Sequence, residues 1–200
     1  MTPTPFPSPT PSPLPPLEIL QRAPAGEARP GTLLFVHGAF SGAWCWDVHF
    51  LPYFAAAGYR CLAVSLRGHG NSPGRHTLAW HTMADYVADV ACAAANLPRP
   101  LVLIGHSMGG FVIQKYLEKH PLPQAVVLLA SVAPWGLWPS SLNLALKDPE
   151  LFQQLQLLQW WGPTWVSRAY ARRALFSEEL PEADVVRFTE LSQRESVQAL

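Results

Sequence analysis

An α/β fold, with a mostly parallel sheet, helices on both of its faces and a helical insertion, is the architecture this sequence predicts. Three observations predict it. Short apolar runs recur, each followed by a Gly-containing loop and a segment of helical period, which is the rhythm of βα units. The runs show no polar alternation, as expected of strands covered on both faces. From Trp135 onward no further β run occurs and only helical periods remain.

Apolar residues make up 49% of the 200-residue chain and charged residues 14%, so much of it expects burial within one domain. Lys plus Arg and Asp plus Glu each number 14, so no net field steers the chain onto nucleic acid or an anionic membrane. Neither is an expected partner. Cys45, Cys61 and Cys92 lack disulfide or zinc spacing and read as reduced core residues. No cofactor or metal is called for. The N-terminus shows no secretory pattern, and every apolar stretch is far shorter than the roughly 20 residues of a membrane span. A cytoplasmic location is the expectation.

Residues 1–16 contain eight prolines and read as a stiff, disordered tail, with a protein-binding PxxP ligand as the alternative. The core is expected over 17–134, opening with an edge strand at Leu17–Ala23. Strands follow at Leu33–Val36, Cys61–Leu66, Leu101–Ile104 and Ala125–Leu129. Between them, a helix around Leu51–Ala57 has Pro52 near its start and Gly58 at its C-cap. A second begins at Thr82, which forms a capping box with Asp85 and places Asp85 and Asp89 on the solvated face. A third follows Ser107 and ends at Pro121. The segment 135–200 reads as a helical cap, with helices at Ser141–Lys147, Glu150–Trp160, Trp165–Phe176 and Glu182–Arg194. It holds Trp135, Trp138, Trp160, Trp161 and Trp165, which line either a pocket or the cap's own core.

The chemistry is concentrated in Gly105-His106-Ser107-Met108-Gly109-Gly110, a G-x-S-x-G lying directly after one strand and before a helix. A serine on so sharp a turn needs neighbours without side chains at i−2 and i+2, and the turn lifts Oγ above the sheet edge. It also aims the Met108 N–H at whatever Oγ attacks, making it half of an oxyanion hole. The alternative is a glycine-rich turn with an incidental serine. The second donor is expected from His37-Gly38-Ala39-Phe40, from Ala39 or, one residue on, from Phe40. His37 reads as a loop-ordering side chain. Arg67-Gly68-His69-Gly70-Asn71-Ser72 reads as a rigid turn, with Arg67 and His69 structural.

These three motifs, together with Gly42-Ala43-Trp44-Cys45-Trp46, resemble the α/β-hydrolase superfamily, nearest to its small esterases and hydroxynitrile-lyase-like members. The resemblance is close over Thr32–Ser131 and extends to 135–200 only in kind. It implies Ser107 as nucleophile, with Ala39 or Phe40 and Met108 as oxyanion donors, but is not specific for a substrate; the apolar, tryptophan-rich cap suggests a small apolar acyl or aromatic ester rather than a sugar or nucleotide. The resemblance also implies an acid and a histidine on two later strands, and this chain contains neither strand. His120 is about 18 Å from Ser107 at about 1.5 Å per helical residue, too far for a base. His69, His76 and His81 lie near the same sheet edge, but nothing fixes one on Oγ. The expectation is therefore a serine hydrolase that is weakly active or inactive as this chain. The alternatives are a non-catalytic binding or vestigial protein with an open sheet edge, and lyase activity on a cyanohydrin in the full-length parent.

Overall fold

The computed structural model describes residues 16–161, 168–196 and 198–199. The proline-rich tail, Pro16 apart, lies outside them. The described chain forms β1 (Ile19–Arg22), β2 (Thr32–Val36), α1 (Trp44–Asp47), α2 (Phe50–Ala56) and β3 (Arg60–Val64). A 3₁₀ helix (Arg75–Trp80), α3 (Met83–Ala94), β4 (Leu101–His106), α4 (Met108–Leu117) and β5 (Ala125–Leu129) follow. The helices α5 (Trp138–Lys147), α6 (Pro149–Trp161), α7 (Arg168–Leu175) and α8 (Glu182–Leu191) come last.

The strands form one five-stranded sheet in the order β1-β3-β2-β4-β5. β1 is antiparallel to β3, and every other pair is parallel. Alternation along each strand divides the buried residues between the two faces. Leu34, Val36, Leu62, Val64 and Leu103 pack with Tyr86 and Val90 of α3 and Val112 and Ile113 of α4. Leu33, Phe35, Cys61, Ala63 and Ile104 pack with Trp46 and Leu51 from α1 and α2. Phe35 anchors this second layer, its ring centroid 5.0 Å from that of Trp46 and 6.0 Å from that of Phe54.

Three expectations need correction. Continuous apolarity marks β5 as a doubly covered strand, yet Ala125, Val127 and Leu128 are exposed because β5 is a sheet edge. Cys92 is exposed on α3, whereas Cys61 is buried and Cys45 half-buried. Asp89 is not on a solvated face. It is fully buried, because the Arg67 guanidinium reaches across the turn after β3 to meet it at 2.8 Å. The capping box is formed: Thr82 Oγ1 accepts from Asp85 N–H, and the Asp85 carboxylate accepts from Thr82 N–H at 2.8 Å.

Candidate active site

Ser107 is the single residue between the last residue of β4 and the first of α4, with φ 51° and ψ −117°. A side chain in this region of backbone space is strained unless its surroundings hold it there. Its own peptide groups supply the anchors. Ser107 N–H donates to Leu129 O at 3.0 Å, and its carbonyl accepts from Gly110, Phe111 and Val132 N–H at 3.1–3.2 Å. The glycines around it are required by close approach. A Cβ on Gly105 would lie 2.6 Å from Gly109 O, and one on Gly109 would strike the carbonyl oxygens of Val36 and His37. The first turn of α4 is thereby seated on the end of β2. Ser107 Oγ is half-buried and makes no hydrogen bond with any described residue.

The loop after β2 lies against this turn. A Cβ on Gly38 would sit 3.2 Å from Ser107 Cβ and 2.8 Å from His106 Nδ1. His37, fully buried, stands 2.8 Å from Gly38 O through Nδ1 and accepts Leu66 N–H at Nε2, 3.1 Å away. A carbonyl on one nitrogen and an N–H on the other assign the proton to Nδ1. Burial, reinforced by the neighbouring His69, pushes the His37 pKa down to about 3, so the ring is neutral. With Gly38 C=O turned toward His37, the N–H of the same trans peptide unit, that of Ala39, faces the opposite way. Phe40 has φ 64°. Its N–H donates to Glu195 Oε2 at 3.3 Å and its carbonyl accepts Gln193 N–H at 2.9 Å. Among the described residues nothing accepts the Ala39 or Met108 N–H.

The turn after β3 flanks the loop after β2 on the side away from Ser107, with the His69 ring centroid 5.0 Å from that of His37. Arg67 is clamped by Asp85 and Asp89, each at 2.8 Å, and its own N–H donates to Asp89 Oδ2. His69 is fully buried, with Nδ1 3.1 Å from Arg67 O and Nε2 2.9 Å from Glu195 Oε2. The other Glu195 oxygen accepts Tyr86 O–H and Ser196 N–H, both at 2.7 Å. Burial alone would raise the Glu195 pKa, but the His69 hydrogen bond and charge, the Ser196 N–H and the Tyr86 hydroxyl hold it below the ordinary value. Burial and the Glu195 charge raise Tyr86, which keeps it a neutral donor.

Glu195, Gln193, Ser196 and Tyr86 were not apparent as site residues from sequence. The helical period extends α8 to Arg194, whereas the helix ends at Leu191 and residues 192–196 run back to the loops after β2 and β3. In the sequence, the run of consecutive polar residues Ser192-Gln193-Arg194-Glu195-Ser196 marks the departure.

A cavity of about 290 Å³ adjoins the loop after β2, lined by Ala39, Phe40, Trp44, Val48, Phe176 and Phe188 among others. It meets the serine turn at His106, and Ser107 does not line it. The aromatic wall is built by Trp44 stacked on Phe188 at 6.0 Å and Phe188 on Phe176 at 6.2 Å. Of the cap tryptophans, Trp135 is exposed, and the side chains of Trp138, Trp160, Trp161 and Trp165 lie outside the described residues. No described histidine reaches Ser107 Oγ: His69 is engaged at both nitrogens, His81 binds Gly74 O at 2.9 Å, and His76 is exposed. His120 stacks on Tyr116 at 4.6 Å, at the far end of α4.

One family model, "Alpha/beta hydrolase family", matches residues 33–199. The chain belongs to the alpha/beta hydrolase family. The chain is 35% identical over 112 residues to a non-heme haloperoxidase of Rhodococcus erythropolis, covering 54% of this chain and 39% of that one. It is 36% identical over 105 residues to a probable esterase of Oryza sativa subsp. indica, covering 50% and 39% respectively. With protein phosphatase methylesterase 1 of Bos taurus the identity is 40% over 99 residues, covering 48% and 26%. The aligned part thus spans about two fifths or less of these relatives. Among solved structures, a putative non-heme bromoperoxidase of Mycobacterium tuberculosis superposes with TM-score 0.60 and 25% identity, over 89% of this chain and 63% of that one.

Proposed function

We propose that Ser107 is the nucleophile of a serine hydrolase acting on small apolar carboxylic esters, with the Ala39 and Met108 N–H groups as its oxyanion hole. The observation that carries this reading is the Ser107 backbone. A strained residue at a strand-helix junction sets a hydroxyl with no partner among the described residues beside the start of α4 and the loop after β2. Of the two candidate loop amides, Phe40 is engaged by Glu195, which leaves Ala39. Met108 N–H is at the first position of α4, where the helix leaves its amides unpaired and the dipole favours negative charge.

In this reaction Oγ attacks the ester carbonyl carbon and its proton passes to a general base. The carbonyl π electrons move to oxygen, and the two amides stabilise the resulting anion. Collapse of the tetrahedral intermediate expels the alcohol, and water then releases the acid from Ser107. The apolar cavity at Ala39, Trp44 and Phe188 suits a short acyl or aromatic group, and the relatives named esterase and methylesterase support ester chemistry. The segment 135–200 acts as the cap over this cavity.

No base is found among the described residues, which also favours a second reading, a non-catalytic binding protein. One experiment separates the two. An oxyanion hole without its base leaves a residual acceleration of about 10³–10⁴ over water. A fluorophosphonate should therefore label the 200-residue chain slowly but faster than it labels free serine, and Ser107→Ala should abolish the reaction. Labelling that survives Ser107→Ala, or is no faster than that of free serine, overturns the hydrolase reading.

A further inference from the structure

We propose that Glu195 is a positioning residue for the oxyanion loop: its buried carboxylate binds Phe40 N–H, His69 and Tyr86 and so holds the Ala39 amide in place beside Ser107. The inference rests on the serine-hydrolase reading.

The Glu195 side chain is fully buried and its carboxylate is surrounded by four donors. Oε2 takes Phe40 N–H at 3.3 Å and lies 2.9 Å from His69 Nε2, while Oε1 takes Tyr86 O–H and Ser196 N–H at 2.7 Å each. An ionised carboxylate offers about four acceptor sites and no donor. Three of the four donors come from separate parts of the fold, namely the loop after β2, the turn after β3, and α3. Among the described residues, Glu195 is the group that joins all three.

What sets this apart from ordinary core packing is which peptide units it holds. Three consecutive units run from Gly38 to Ser41. His37 holds the carbonyl of the first, Glu195 the N–H of the second, and Gln193 N–H the carbonyl of the third. The last two share Phe40, a residue with a Cβ at φ 64°. Such a residue relaxes toward negative φ when its restraints are removed. Relaxation would rotate the Ala39–Phe40 unit, which adjoins through the Ala39 Cα the unit that carries the Ala39 N–H, and would leave that N–H restrained by His37 alone. The end of the helical segment is in this way tied to the loop that stabilises the reaction's charge.

The test combines a spectroscopic probe of the loop with the Ser107 reaction, in the full chain. In the unmodified protein the Phe40 amide proton should resonate well downfield, as expected for a donor to a carboxylate. Glu195→Ala should move it upfield and speed amide exchange at residues 38–41 by on the order of tenfold or more, with β2 and β4 amides unchanged. Fluorophosphonate labelling of Ser107 should slow by roughly ten- to a hundredfold. Glu195→Gln, whose one carbonyl can serve only one donor pair, should fall between. If Glu195→Ala does not fold, Glu195→Gln and Tyr86→Phe carry the comparison, and wild-type loop signals and rates in both overturn the inference. Undiminished Ser107-dependent labelling in Glu195→Ala overturns it alone. Faster labelling also overturns it, by making the carboxylate a block on the loop. No Ser107-dependent labelling in the unmodified chain overturns the hydrolase reading and this inference together.

Discussion

His37 shows how one side chain can order a site and set its response to acid. Held neutral between Gly38 O and Leu66 N–H, it can gain a proton only by losing the Leu66 contact, and its pKa is pushed down from 6.5 to about 3. The folded value is depressed, so the unfolded chain binds the proton first. The contribution to stability is fully present above pH 6.5 and is lost as pH falls toward 3. Between pH 7 and pH 5 linkage predicts a loss of about 2 kcal/mol from this residue. Urea unfolding at the two pH values should show that loss in the wild type and a smaller one in His37→Asn. Equal losses would show that the ring is not held neutral.

At the scale of elements, the Arg67 clamp fixes the turn after β3 onto α3. Arg67 is largely buried and Asp89 wholly so, and Asp89 accepts from both the guanidinium and the Arg67 N–H. Removing the guanidinium leaves the wholly buried Asp89 carboxylate without its cationic partner, so Arg67→Ala should lower unfolding free energy by about 3–5 kcal/mol in denaturant titration. A loss below about 1 kcal/mol would mean that the pair is solvated like a surface ion pair. The same turn carries His69, so the clamp also sets where Glu195 docks. The α8 segment teaches a related lesson. Its periodicity continues past Leu191, but the helix stops there because Gln193 binds Phe40 O, Gly68 O and Gly70 N–H in loops far away in sequence.

For the whole molecule, the open side of the sheet dominates. β5 presents Val127 and Leu128, 40% and 43% exposed, at an edge with no neighbouring strand among the described residues. Edges of this composition pair with other chains unless charged or covered. The 200-residue chain is expected to self-associate with rising concentration, as read by light scattering, and Val127→Lys should suppress this while leaving the thermal transition nearly unchanged. A monodisperse wild-type chain at high concentration would remove β5 as an association surface. Within the same molecule the interior is well built: Phe35→Ala, which deletes a fully buried ring, should cost about 3–5 kcal/mol.

Strand positions, the capping box at Thr82 and the serine turn could all be read from the chain, because each rests on local rules. Apolar runs, a hydroxyl three residues before an acid, and glycines flanking a serine need no knowledge of distant residues. The burial of Asp89, the end of α8, the edge exposure of β5 and the convergence of Glu195, His69, Tyr86 and Phe40 could not. Each depends on which segments meet across the sheet, where a charge 22 residues away or a carboxylate 155 residues away supplies the partner that local pattern assigns to water. Sequence alone determined the fold and the sharp serine turn; tertiary structure decided which polar groups are buried together, since burial makes hydrogen bonding obligatory only where the chain has folded back on itself.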